Sequence, residues 1–109
     1  MAVSADRVRE LALSLEGSSE APHFHLTAFR TPRKIFATLS AARGDLNLMF
    51  DPELRDFYCE QGAGAFAPVP GGWGRMGATR CDLARVDEPT LTSALLAAHG
   101  LAAPQPKRR

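Results

Sequence analysis

At 109 residues with 45% hydrophobic content and a formal net charge of +1, the chain makes one domain, able to bury about two-thirds of the surface its unfolded form exposes. The near-neutral balance argues against a strong polyanion binder. The polar start Ser4-Ala5-Asp6-Arg7 and the lack of a long apolar run point away from a secretory signal or membrane span, so a cytoplasmic location is expected.

Ser4 caps a first predicted helix over about residues 4–16, where Val8, Leu11, Ala12 and Leu15 share one stripe and Gly17 is the stop. Residues 18–22 read as a loop. Alternation over His23 to Phe29 predicts a strand, Thr31-Pro32-Arg33 a turn, residues 34–39 a second strand, 42–45 a turn and 46–50 a third strand. Asp51-Pro52-Glu53 then opens a helix with a capping acid and a proline at its first position, running to Gln61 before Gly62. Phe66 to Val69 is a short edge-like strand, the glycine-dense residues 70–77 a hairpin turn, and Ala78 to Leu83 a further strand. Asp87 caps a last helix with Leu91, Ala94, Leu95 and Ala98 on one stripe. The reading is an α+β fold in the order α-β-β-β-α-β-β-α, helices on one face of a single antiparallel sheet. It assigns residues 1–103 to the domain and 104–109 to a flexible basic tail.

Period-two alternation assigns Phe24, Leu26, Ala28, Ile35, Ala37, Leu39, Leu46, Leu48, Phe50, Cys81 and Leu83 to the helix-facing side. His25, Thr27, Phe29, Phe36, Thr38, Asn47, Met49 and Arg80 then share the other face. Aromatics mixed with cations can stack bases and contact phosphates, so His25, Phe29 and Phe36 are a candidate stacking face. Charge is uneven: from Ala21 to Gly44 there is no carboxylate but four cations, Arg30, Arg33, Lys34 and Arg43, whereas residues 45–69 set five acids against Arg55. Arg30, Arg33 and Lys34 around Pro32 form a candidate phosphate-contacting turn. The segment Gly71-Gly72-Trp73-Gly74-Arg75-Met76-Gly77 holds the only tryptophan, and Trp73, Arg75 and Arg80 complete the candidate nucleic-acid-binding set.

Pro22-His23-Phe24, Phe29-Arg30, Lys34-Ile35-Phe36-Ala37, Leu46-Asn47-Leu48 with Asp51-Pro52, and Trp73-Gly74-Arg75-x-Gly77-x-Thr79-Arg80-x-Asp82-Leu83 occur in an order and spacing that resembles the MmcQ/YjbR family of small bacterial proteins. The resemblance runs from about Arg7 to Leu101. It implies a CyaY-like α+β fold, described for the family as a double-wing arrangement, and a DNA-binding label that many members carry. The chain departs from the family pattern at Ala78, where members often have an aromatic, and at His99-Gly100, where they often have a polar-aromatic pair.

No catalytic constellation emerges. Cys59 lies beside Glu60, Cys81 is expected to face the core, and no base is placed beside a serine or threonine. The two thiols fit no metal or redox spacing and are expected free and packed. His23 and His25 point the same way in a strand but lack an evident third ligand, so neither a metal nor another cofactor is expected. The leading expectation is a non-enzymatic protein that binds DNA or single-stranded nucleic acid. The alternative is a protein-interaction module or homodimer using the Trp73 loop and the Phe29/Phe36 face.

Overall fold

The computed structural model describes residues 2–62 and 64–103. Helix α1 (Ala5–Leu13) is followed by strands β1 (Ser19–His23), β2 (Leu26–Arg30), β3 (Ile35–Ser40) and β4 (Asp45–Leu48). Helix α2 (Pro52–Gln61), strand β5 (Phe66–Pro68), the short helix α3 (Gly72–Arg75), strand β6 (Thr79–Asp82) and helix α4 (Glu88–Ala102) complete the chain. The three long helices start where the capping residues predict. Ser4 Oγ accepts the Arg7 N–H at 3.1 Å, Asp51 Oδ1 that of Leu54 at 2.9 Å and Asp87 Oδ1 that of Thr90 at 2.8 Å, each satisfying a donor that the first turn leaves without a partner.

All strands join one antiparallel sheet in the order β1-β2-β3-β4-β6-β5. Two corrections to the expected order follow. Residues 18–22 are not a loop: Ser19–His23 form the edge strand β1, pairing Ser19 with Arg30 and His23 with Leu26. Pro22 is compatible with this because an edge strand needs ladder bonds on one side only. The glycine-dense segment is not a plain hairpin turn either, since it holds one turn of helix, α3.

Helices α1, α2 and α4 cover one face of the sheet. Val8 and Ala12 of α1 and Leu91, Leu95 and Ala98 of α4 join Phe29, Leu39, Leu46, Leu48 and Cys81 in the core. From α2, Tyr58 stacks on Phe50 with ring centroids 5.1 Å apart and meets Phe66 at 5.3 Å, while its hydroxyl and that of Ser93 are 2.5 Å apart. Among the described residues, no helix is long and apolar enough to cross a membrane.

The expected assignment of faces fails at the first hairpin. Phe29 and Phe36, expected on the helix-free face, have no solvent exposure, and Phe36 meets His99 of α4 edge-on at 5.4 Å. Phe24, expected in the core, is 89% exposed at the tip between β1 and β2 with φ of 59°. The two phenylalanines turn inward for different reasons. Strand β2 begins only at Leu26, after the Phe24-His25 turn, so parity counted from Phe24 is inverted along it and Phe29 faces the helices. Phe36 instead sits at an irregularity of register between β2 and β3. Phe29 pairs with Ala37 but Arg30 with Ile35, leaving Phe36 as an extra residue that turns inward beside Ala37. A bulge of this kind interrupts period-two alternation, so parity counted along the sequence inverts on one side of it.

Candidate nucleic-acid interface

The side of the sheet away from the helices is built around one continuous row. Ala21 pairs with Ala28, Ala28 with Thr38, Thr38 with Asn47, Asn47 with Arg80 and Arg80 with Ala67, so a single line of side chains crosses all six strands. Each inner member lies between residues of its strand that are buried or, at Thr27 beside Ala28, half-buried, as Asn47 does between Leu46 and Leu48 and Arg80 between Thr79 and Cys81. Alternation therefore points it the other way. Four of the six are alanine or threonine, and the floor is low: Ala28 and Thr38 remain buried although no long helix packs above them. By the same alternation Arg30 follows Ala28 on this face.

Two structures rise from one end of the sheet. The β2–β3 turn carries Thr31 to Lys34, and because Leu48 and Pro68 both pair with Thr79, the β5–β6 connection with α3 leaves from the same end. Helix α3 depends on glycine at two positions. A Cβ on Gly74 would collide with the Val69 carbonyl, and Gly77 combines φ of +121° with close approach to the backbone of Phe50 and Asp51. Arg55 of α2 donates Nη1 to the Gly74 carbonyl at 2.7 Å and to that of Arg75 at 3.4 Å, closing the end of the short helix. So held, α3 presents Trp73 at 65% exposure and Met76 at 72%. Arg55 escaped the sequence reading because its partners lie 19 and 20 residues away.

The predicted site residues separate into three groups. Lys34, Trp73 and Arg75 are exposed at the same end of the sheet, with Arg30 and Arg80 on the adjoining open face. Arg33 serves the fold: it donates Nε to the Ala102 carbonyl at 3.2 Å and Nη2 to that of Leu101 at 2.6 Å, closing the C-terminus of α4. Phe29 and Phe36 belong to the core, and His25 lies in the β1–β2 turn at the opposite end, so the expected stacking face of these three does not exist. The basic tail, residues 104–109, lies outside the described residues.

Charge on the open face is mixed rather than uniformly basic. Arg80 Nε is 3.9 Å from Asp45 Oδ2, the oxygen that Arg43 Nε approaches at 3.2 Å, and Arg85 faces Asp82 at 3.6 Å. Lys34 and Arg75 form no ion pair among the described residues. Neither thiol is poised as a nucleophile. Burial, with Asp82 and Asp45 adding to it, pushes Cys81 up to about 12, and burial also raises Cys59.

Sequence comparison with protein families finds a match to YjbR over residues 13–101. The chain belongs to the YjbR family. Comparisons with curated proteins and with solved structures gave no match. The family match runs from the end of α1 to the last turn of α4 and takes in the whole sheet. Every candidate residue of this YjbR domain, the open-face row and α3 included, therefore lies in the part that defines the family.

Asn47 was placed on the correct face by the sequence, yet nothing there marked it as a binding residue. The available signal was its position: a polar amide between two buried leucines in a four-residue strand.

Proposed function

We propose that this YjbR protein binds nucleic acid in the cytoplasm through the helix-free face of its sheet, without catalysing a reaction. One observation carries the reading: a sheet face floored by small residues bears Arg30 and Arg80 and is flanked at one end by exposed Lys34, Trp73 and Arg75. Cations beside a planar aromatic suit a phosphate backbone with accessible bases. The raised thiols support a non-catalytic role. A salt titration of binding to single- and double-stranded DNA tests the reading, because each phosphate contact contributes a slope of about 0.7 to 0.9 through counterion release. Absence of any affinity tighter than about 10⁻⁴ M at moderate salt overturns it.

The exposure of Trp73 on α3 and of Met76 at its C-cap, three residues apart, favours a second reading: a protein-interaction module or homodimer centred on that segment. Such a contact buries apolar surface and responds weakly to salt. Concentration-dependent sedimentation, insensitive to ionic strength and abolished by Trp73→Ala, would favour it over nucleic acid.

A further inference from the structure

We propose that Asn47 and Arg80 form a base-reading pair for a single strand laid across the open face, an inference that rests on the nucleic-acid reading above. The two residues are direct cross-strand partners on β4 and β6. Asn47 Oδ1 and Arg80 Nε are both buried and both without a hydrogen-bond partner, and they are the only such side-chain atoms among the described residues. Asp45 does not satisfy Arg80, since at 3.9 Å its carboxylate is within ion-pairing range but beyond hydrogen-bond reach. The pair thus holds one unpartnered acceptor and one unpartnered N–H donor on adjacent strands, both beneath the surface. The rest of the Arg80 side chain is 42% exposed above them, so a ligand reaches them as that side chain turns aside.

A group that answers both needs a donor next to an acceptor, the arrangement along the hydrogen-bonding edge of a nucleobase. Small neighbours leave room for a flat ring: Thr38 flanks Asn47, and Ala67 flanks Arg80, in the same row. Charge agrees with this occupant on the side toward β2 and β3, because no carboxylate occurs between Ala21 and Gly44. The geometry also selects the form of nucleic acid. Six strands at the usual spacing span about 24 Å, twice the roughly 12 Å of a major groove, so the sheet cannot enter a duplex to reach base edges. Only a base splayed out of an unpaired strand can descend to atoms buried on the floor.

The test uses the full chain with three probes of one length at one salt concentration: a mixed-sequence single-stranded oligodeoxynucleotide, the same strand with its bases removed, and the corresponding duplex. The wild-type protein should prefer the base-bearing single strand to both others. Asn47→Ala should weaken that binding roughly tenfold, toward the abasic level. Arg80→Lys keeps the charge while removing the planar Nε–H, so it should lose the same preference with an unchanged salt slope. Duplex binding as tight as single-strand binding, or no loss in either variant, overturns base reading while leaving a phosphate-contacting surface in place. Failure to bind all three probes overturns the nucleic-acid reading itself. If a variant does not fold, as thermal unfolding would show, the wild-type comparison of the three probes decides alone.

Discussion

The two faces of the sheet solve opposite problems with neighbouring residues. Toward the helices, Phe29, Phe36, Leu46 and Leu48 fill the space completely, and none is exposed. One position along the same strands, Ala28, Thr38 and Asn47 keep the surface low, and the row continues to Arg80, where two polar atoms are left without partners. A buried polar atom without a partner costs about 1–3 kcal/mol, which a fold selected for stability alone would avoid. The first face accounts for the stability of the domain, and the second is the proposed binding surface.

The largest effect expected from this contrast comes from the core. Phe36→Ala should lower unfolding free energy by about 3–5 kcal/mol, measured by urea denaturation. Thr38→Ala, two residues on and facing the other way, should cost under about 1 kcal/mol. Similar losses at the two positions would break the distinction between faces.

The next effect concerns how the Trp73 segment is held. Gly77→Ala forces a side chain into positive φ against the backbone of Phe50 and Asp51, and should cost about 1–3 kcal/mol. Because Trp73 is the only tryptophan, its emission maximum reports the same change. An unaltered spectrum with unaltered stability would show that α3 does not depend on that glycine.

Neighbouring cations of the β2–β3 turn sharpen the comparison further. Arg33→Ala removes two hydrogen bonds to the end of α4 and should cost about 1–2 kcal/mol, with the salt slope of nucleic-acid binding unchanged. Lys34→Ala should alter stability by less than about 0.5 kcal/mol and lower the salt slope by about one. The reverse pattern would exchange the two roles.

The smallest effect is acidic. Arg7 of α1 donates to both carboxylate oxygens of Glu88 at the start of α4, at 3.1 and 2.7 Å, and this hydrogen bonding holds Glu88 below its ordinary range. Hydrogen bonds from Thr90 lower Asp87 in the same way. Carboxylates whose folded values are depressed contribute stability that is present above their ordinary values and is lost as pH falls through the folded ones. The melting temperature should therefore decline below about pH 4, and Glu88→Gln should make that decline shallower. A slope identical in the variant would show that this exposed link between α1 and α4 contributes nothing.

Much of the candidate site was legible as residue types but not as roles. Arg33 and Lys34 are adjacent cations in one turn. What separates them is that Arg33 reaches carbonyls 68 and 69 residues away, which no local pattern encodes. Trp73 and Arg75 were recognisable because a glycine-dense segment carrying both is unlike core, and they are exposed as that composition suggests. Asn47 gained its interest only when Arg80 became its neighbour across strands.

The sequence by itself determined where the long helices begin, because a cap joins a side chain to a backbone N–H three residues later. Ser4, Asp51 and Asp87 all act over that distance. It also determined the α+β class and the family, whose signatures are patterns along the chain. Tertiary structure decided the faces. Strand β1 exists because Ser19–His23 finds an edge to pair with, and its turn at Phe24-His25 sets which way β2 faces and so puts Phe29 inward. The irregularity opposite Phe29 and Arg30 turns Phe36 inward. Pairing across strands acts between residues distant in sequence, and one extra residue inverts every side chain beyond it. A period of two read along the chain carries no mark of where that inversion falls.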